Sequence, residues 1–211
     1  MSDYAALPPD LPVPEDDGAA DHLVGMVLPS LILAATPAAG DGENAVVPAM
    51  REEVRSDADL AALGAGRVVV YVYPRTGVPG VPLPDGWDDI PGARGCTPQS
   101  CAYRHALAEF ERLGAVVVGI SAQSADEQAE FAQREHIPFP LLSDPGLELA
   151  AALRLPTFAV DGMTLYKRLT FVAAAGRIAK VFYPVFPPDR NAAAVLDWLA
   201  AHPPPWGQAG D

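Results

Sequence analysis

Two cysteines are the groups in this sequence best suited to chemistry. Cys96 and Cys101 lie in the stretch GCTPQSC (residues 95–101), and the chain of 211 residues contains no other cysteine. They follow an apolar run and a loop rich in proline and glycine, at a position that predicts the start of a helix. A reactive thiol with a second thiol nearby is typical of redox chemistry.

The position of Cys96 favours its thiolate form. The free amide N–H groups and the positive end of the helix dipole stabilise an anion at the start of a helix, and Arg94 adds positive charge nearby. A thiolate attacks a peroxide oxygen or a disulfide sulfur. Attack on a peroxide gives a sulfenic acid, which a second thiol converts to a disulfide. Cys101 is placed to be that second thiol.

The spacing of the two cysteines sets a condition on such a disulfide. In a regular helix, residues five positions apart have Cα atoms about 8.6 Å apart. A disulfide usually requires Cα atoms within about 6.8 Å. The first helical turn must therefore unwind before the bridge closes, and Thr97-Pro98 is compatible with this because proline donates no backbone hydrogen bond.

Two structural alternatives do not involve redox chemistry. In the first alternative, the two cysteines are small buried apolar residues of a helix. In the second, Cys96, Cys101 and His105 bind zinc, although no fourth ligand appears at a usual spacing. The preceding strand and loop favour the redox interpretation over both.

Length and charge limit the possible functions. The chain is long enough for one medium domain with appendages, and 50% apolar residues are sufficient for a core. The net charge is −13, and eight acidic residues precede the first basic one, Arg51. The sequence has no basic stripe to contact phosphates, which argues against nucleic acid as a partner.

The chain divides into one domain and two predicted flexible ends. We expect residues 1–21, acidic and proline-rich, to be a flexible segment, 22–202 to be the domain, and 203–211 to be a flexible tail. The apolar stretch 23–39 contains Pro29 and Pro37 and lacks the preceding positive charge of a signal peptide. We interpret it as an extended segment that joins the core, and we expect a cytoplasmic protein without membrane contact.

Strand and helix patterns alternate through the domain. A buried strand at 67–73 and a long loop precede the helix of the cysteines, which we expect to reach Leu113, and a second buried strand follows at 115–121. Helices are predicted at 124–135, where Ser124 begins a capping box, at 145–153, and from 188 onward, with a hairpin at 168–183 before the last. This order predicts an α/β thioredoxin-like fold with a mixed central sheet flanked by helices.

Several of these segments together resemble the peroxiredoxins. GCT-x-x-x-C at a strand–loop–helix junction is similar to their bacterioferritin-comigratory (Q-type) branch, in which a resolving cysteine follows five residues after the first. The resemblance extends over about residues 22–200 and includes VVVYVYP ending at Pro74, GIS ending at Ser121, FPLLSD ending at Asp144 and KRLTFV beginning at Lys167.

The resemblance implies roles for three residues and a reaction. Cys96 corresponds to the peroxidatic cysteine, Cys101 to the resolving cysteine, and Arg168 to the arginine that holds thiolate and peroxide. A guanidinium suits that role because its hydrogen-bond donors are fixed in one plane. The implied enzyme reduces hydrogen peroxide or organic hydroperoxides without metal, haem or flavin. Thioredoxin or a glutaredoxin is the implied reductant, and members of the family are monomers or homodimers.

The sequence departs from the family at one position. The family pattern Pro-x-x-x-Thr-x-x-Cys has a threonine three residues before the cysteine, where this chain has Ala93. An insertion, which we assign to loop 77–95, separates Pro74-Arg75-Thr76 from Cys96. Thr76 is our candidate for the missing hydroxyl if the inserted loop folds outward. Trp87 within the loop is either a packing anchor, which we favour, or part of a lid.

Two other functions are compatible with the same residues. A thiol–disulfide oxidoreductase on this fold would exchange disulfides, but the chain lacks a Cys-x-x-Cys motif. A redox sensor or partner protein would use the disulfide to change shape without clearing peroxide. The alanine at position 93 and the inserted loop keep this second alternative open.

Overall fold

A computed structural model describes residues 7–36 and 57–203. Nine strands are present in these ranges: β1 (Ile32–Ala35), β2 (Asp57–Asp59), β3 (Arg67–Val72), β4 (Val116–Ser121), β5 (Leu141–Ser143), β6 (Thr157–Val160), β7 (Met163–Tyr166), β8 (Leu169–Ala174) and β9 (Arg177–Phe182). The α-helices are α1 (Leu60–Gly64), α2 (Cys96–His105), α3 (Leu107–Arg112), α4 (Ala125–Arg134), α5 (Glu148–Leu153) and α6 (Asn191–Ala201).

Seven of the strands form one mixed sheet in the order β2-β1-β5-β4-β3-β8-β9. The three central strands, β5, β4 and β3, run parallel, and the outer strands on both sides pair antiparallel. This arrangement confirms the predicted thioredoxin-like α/β fold. The extended segment expected within 23–39 contributes β1, although residues 37–39 lie outside the described ranges.

Strand β3 shows why the sheet is covered on both faces. Its six residues are all buried, and alternate side chains point to opposite sides. Val68, Val70 and Val72 pack with residues of α1 and α5 in one core cluster. Val69 and Tyr71 pack in the second cluster, which contains residues of α2, α3, α4 and α6. The helix that begins at Cys96 therefore lies on the Tyr71 face.

The predicted helix through Leu113 is two helices in the structure. Helix α2 begins at Cys96 itself, and the chain leaves the helical region at Ala106 (φ −98°, ψ 2°) before α3 starts. Phe110 of α3 still packs against Tyr103 of α2, with ring centroids 5.4 Å apart. Helical structure thus extends to Arg112, close to the predicted end at Leu113, but the break between the two helices was not predicted.

The second sheet, formed by β6 and β7, was not anticipated. Its two strands pair antiparallel and are joined by Asp161 (φ 47°) and Gly162 (φ 71°). An Asp-Gly pair between apolar residues is a strong hairpin signal, so the sequence does contain the information. The predicted hairpin of β8 and β9 is confirmed, with Ala175 and Gly176 at its turn.

Part of the segment 1–21, which we expect to be flexible, contacts the domain through Asp17. The Asp17 carboxylate lies 2.7 Å from Nζ of Lys167 and accepts a hydrogen bond from the Tyr183 hydroxyl. These bonds lower the pKa of Asp17 to about 2. Of the predicted tail 203–211, only Pro203 lies in the described ranges. No helix in these ranges combines the length and apolar character needed to cross a membrane.

Candidate active site

Gly95 fixes the start of the helix that carries Cys96. Its φ of +103° favours glycine, because side-chain-bearing residues rarely adopt it. A Cβ atom at this position would lie 2.4 Å from Cγ of Pro188 and 2.8 Å from a methyl carbon of Leu7. Glycine is therefore required both for the backbone turn and for the space, and it sets Cys96 as the first residue of α2.

Cys96 and Arg168 are in direct contact although 72 positions separate them. Nη2 of Arg168 lies 3.2 Å from Sγ of Cys96, and each residue is only 3% exposed. Arg168 directly precedes β8, which pairs with β3, so the sheet brings the guanidinium to the helix start. No carboxylate among the described residues lies within ion-pair distance of Arg168.

Each nitrogen of the Arg168 guanidinium also donates to an uncharged acceptor. Nε donates to the Gly92 carbonyl at 3.2 Å, and Nη2 also donates to the carbonyls of Ala93 and Arg94, each at 3.1 Å. Nη1 donates to Oε1 of Gln99. Arg168 is thus a buried positive charge without a carboxylate partner among the described residues, and the ionisable side chain that it contacts is Cys96.

Behind Arg168 lies a buried polar network that sequence analysis missed. Nε2 of Gln99 donates to Oδ1 of Asn191 at 3.0 Å. The same oxygen accepts from the hydroxyls of Tyr103 and Thr170, each at 2.7 Å. The network links α2, α6 and β8 and fixes the amide of Gln99 that holds Arg168. No sequence pattern connects these positions, so the fold was needed to find them.

Cys101 lies further along α2 and is half-buried. Both cysteines are free thiols, and the helix is continuous through both positions. Sγ of Cys101 lies 3.8 Å from Oε2 of Glu135. Burial raises the pKa of the Cys101 thiol, and the Glu135 carboxylate adds to the rise, while Arg104 partly offsets it. Cys101 is therefore predominantly a protonated thiol near neutral pH.

Thr76 is not brought into contact with the sulfur by any described interaction. Its backbone N–H and its hydroxyl both donate to Oε1 of Gln123, at 2.7 and 3.0 Å. At position 93, where the family has threonine, Ala93 instead offers its carbonyl to Arg168 and, at 3.8 Å, to the thiol of Cys96. The neighbours of Thr76, Arg75 and Gly77, line the small cavity beside Cys96.

Trp87 packs as an anchor, the role that we favour from the sequence, and it also lines the small cavity beside Cys96. It is 3% exposed and packs with Ala93 and Leu165 and near Phe158, whose ring centroid is 6.2 Å away. No group of three or more histidine, cysteine or acidic side chains within residues 7–36 and 57–203 is arranged to hold a metal ion.

Comparison with known proteins supports the family resemblance. The family model described as Redoxin matches residues 42–196. A chloroplastic peroxiredoxin Q of Sedum lineare is 33% identical over 133 residues, which cover 63% of this chain and 62% of the relative. The chloroplastic peroxiredoxin Q of Oryza sativa subsp. japonica is 30% identical over 151 residues, which cover 71% and 62%. The chain thus spans somewhat less than two thirds of these relatives.

Among solved structures, peroxidoxin BcpB of Mycobacterium tuberculosis is similar to this chain. The TM-score is 0.62 and the sequences are 25% identical, over 85% of this chain and 97% of that one.

Proposed function

The chain belongs to the Redoxin family, in its Q-type peroxiredoxin branch, and from that membership we propose that it is a thiol-dependent peroxidase with Cys96 as its nucleophile. The observation that carries the proposal is the 3.2 Å contact between Nη2 of Arg168 and Sγ of Cys96. Arg168 is buried and, within the described ranges, has no carboxylate partner, so its charge is directed at the reacting atom.

In the first step the Cys96 thiolate attacks one oxygen of the peroxide. An S–O bond forms and the O–O bond breaks, so the sulfur is oxidised to a sulfenic acid and the peroxide is reduced to water or an alcohol after its leaving oxygen takes a proton. Negative charge moves from the sulfur to the leaving oxygen during this step. A fixed guanidinium beside both atoms stabilises that charge.

In the second step Cys101 attacks the sulfenic acid of Cys96, which forms a disulfide and releases water. Helix α2 must first unwind at its start, since the regular helix holds the Cα atoms about 8.6 Å apart. Gln99 lies between the two cysteines, and its N–H donates to the Gly95 carbonyl at 3.1 Å. Unwinding breaks this bond and moves the Gln99 side chain, so oxidation also loosens Arg168.

In the third step an external dithiol reduces the disulfide and is itself oxidised to a disulfide, which returns both cysteines to thiols. We propose thioredoxin or a glutaredoxin for this role, on the basis of the family resemblance. We also propose a cytoplasmic protein that acts as a monomer or homodimer.

The Cys101→Ser variant tests the proposed order of events. With one equivalent of hydrogen peroxide, this variant should gain one oxygen atom at Cys96, because the sulfenic acid forms without the second thiol. Intact-mass and peptide mass spectrometry detect the sulfenic acid after it is trapped with dimedone. Steady turnover with a thioredoxin system should fall, and overoxidation at high peroxide should increase. Unchanged turnover and overoxidation would assign Cys101 a structural role.

The resolving step should accelerate as the pH rises. The pKa of Cys101 is raised by burial and by Glu135, so a higher pH increases the thiolate fraction. Disulfide formation after a peroxide pulse should therefore speed up between about pH 7 and about pH 9. Glu135→Gln removes the carboxylate that adds to the rise, and should speed the step at neutral pH by about two- to tenfold. Quenched-flow alkylation followed by mass spectrometry gives the rate.

Glu130→Gln is the matched control for this prediction. Glu130 also pairs with Arg134, at 2.7 Å, but it has no described contact with Cys101. Glu130→Gln should form the disulfide between Cys96 and Cys101 at the wild-type rate. Equal acceleration in both variants would mean that the general loss of negative charge, and not the contact with Cys101, controls the step.

A further inference from the structure

The inserted loop 77–95 is folded against the domain. Trp87 lies in a short 3₁₀ turn (Trp87–Asp89) and packs in a cluster with side chains of the β6–β7 hairpin. Asp88 of the same turn accepts a hydrogen bond from Arg94 at 3.2 Å. Arg94 lies two residues before Cys96. The loop is thus packed against the hairpin through Trp87, and the contact between Asp88 and Arg94 closes its last segment, directly before α2.

Two contacts of Arg75 fix the position at which the inserted loop begins. Nη2 of Arg75 lies 3.0 Å from Oε1 of Glu127 in α4, and Nη1 lies 3.1 Å from Sδ of Met163 in β7. The loop therefore leaves β3 along a fixed path and covers the side of the domain on which Cys96 lies. This position explains why Cys96 is only 3% exposed.

Very little space remains beside the sulfur. The cavity that Cys96 lines has a volume of about 10 Å³, and Leu83 and Trp87 of the inserted loop form part of its wall. A cavity of that volume holds about one water molecule. A second cavity of about 350 Å³ adjoins it, and both are lined by Arg75, Gly77 and Leu83. Leu83 is therefore the apolar side chain at the boundary, shared with Arg75 and Gly77, between the Cys96 cavity and a space large enough for a small organic molecule.

We propose that the inserted loop is a size filter that restricts the peroxidase to hydrogen peroxide and the smallest hydroperoxides, with Leu83 and Trp87 as its specificity-determining residues. This inference rests on the proposed function. Attack by sulfur occurs along the O–O axis, so the leaving oxygen and its substituent must lie on the far side of the peroxide. A bulky substituent at that position collides with Leu83 and Trp87.

The test compares rate constants for a size series of peroxides. Reduced protein is mixed in a stopped-flow instrument with hydrogen peroxide, ethyl, tert-butyl and cumene hydroperoxide. We expect the wild type to react with cumene hydroperoxide at least about tenfold more slowly than with hydrogen peroxide, because the cumyl group is far larger than the cavity of about 10 Å³ beside the sulfur, and even one excess methylene in a filled pocket costs about tenfold or more. Leu83→Ala joins the two cavities and should raise the ratio of the cumene to the hydrogen peroxide rate constant at least about fivefold.

Leu31→Ala is the matched control, since Leu31 is also half-buried but packs against the core on the opposite face of the sheet. In Leu31→Ala, the ratio of the cumene to the hydrogen peroxide rate constant should equal that of the wild type. Equal wild-type rates for the whole series, or an unchanged ratio in folded Leu83→Ala, would overturn the size filter and leave the proposed function standing. The wild-type series decides the matter even when a variant fails to fold. Failure of the wild type to react with hydrogen peroxide would refute the proposed function and the filter with it.

Discussion

Cys96→Ser should abolish peroxide consumption by the reduced protein. A serine hydroxyl is neutral near pH 7, whereas a thiolate is an anion and a far stronger nucleophile. The substitution exchanges one small buried side chain for another, so the fold should persist. Peroxide consumption by the variant, followed with a thioredoxin system or a colorimetric peroxide assay, should equal the rate without protein.

The control for this prediction is Cys101→Ser, which removes the other thiol of the chain. It should still consume one equivalent of peroxide rapidly. If Cys96→Ser consumes peroxide at more than a trace of the wild-type rate, or if only Cys101→Ser is inactive, the nucleophile is not Cys96.

Arg168→Met should slow the reaction of Cys96 with peroxide by about a hundredfold or more, as is usual when one fixed donor to a developing charge is removed. The variant also loses the hydrogen bonds to the carbonyls of Gly92, Ala93 and Arg94. Ala93 is buried, and an unpaired buried acceptor costs about 1–3 kcal/mol, so the free energy of unfolding should fall as well. The rate is measured by stopped flow, well below the melting temperature of the variant.

A second reagent separates the catalytic effect from the structural one. Iodoacetamide also reacts with the Cys96 thiolate but contains no O–O bond. If Arg168 holds the peroxide as well as the sulfur, the variant should lose more rate with hydrogen peroxide than with iodoacetamide, whereas local unfolding would expose Cys96 and speed alkylation. Arg168→Lys, which keeps the charge without the planar donors, should be intermediate.

Arg177→Met is the matched control for Arg168→Met. Arg177 lies in β9 and is exposed, and its described side-chain bond is to the Gly25 carbonyl. The Arg177→Met variant should react with peroxide at the wild-type rate. A wild-type rate in Arg168→Met would show that the contact with Sγ has no role in the peroxide step.

The parts of the fold that are dictated locally could be predicted from the sequence. Continuous β-branched runs at 67–73 and 115–121 are typical of strands that are covered on both faces, and β3 and β4 lie there. The capping box at Ser124 placed the start of α4, with both reciprocal hydrogen bonds present. The start of α2 at the cysteine was also predictable, because the chain before it is rich in glycine and proline.

Features that depend on distant packing could not be predicted in this way. The link from Gln99 to Asn191 spans 92 positions, and nothing in either segment indicates the other. Thr76 was a candidate because of its place after β3, but its hydroxyl donates to Gln123, which follows the end of β4 by two residues. An outward fold of the inserted loop was the condition under which Thr76 could supply the missing hydroxyl. The loop packs on the β6–β7 hairpin, which sequence analysis had not identified as a second sheet.

The most direct test of the account is the reaction of the fully reduced, full-length wild-type protein with hydrogen peroxide in a stopped-flow instrument. Buried Trp87 lies beside the Cys96 cavity and provides a fluorescence signal. We expect a fast phase whose rate rises linearly with peroxide concentration and gives a second-order rate constant orders of magnitude above that of free cysteine. Mass spectrometry of the product should show oxidation at Cys96. A rate constant no greater than that of free cysteine would contradict the account, and would favour a disulfide-exchange or sensing role for the two cysteines.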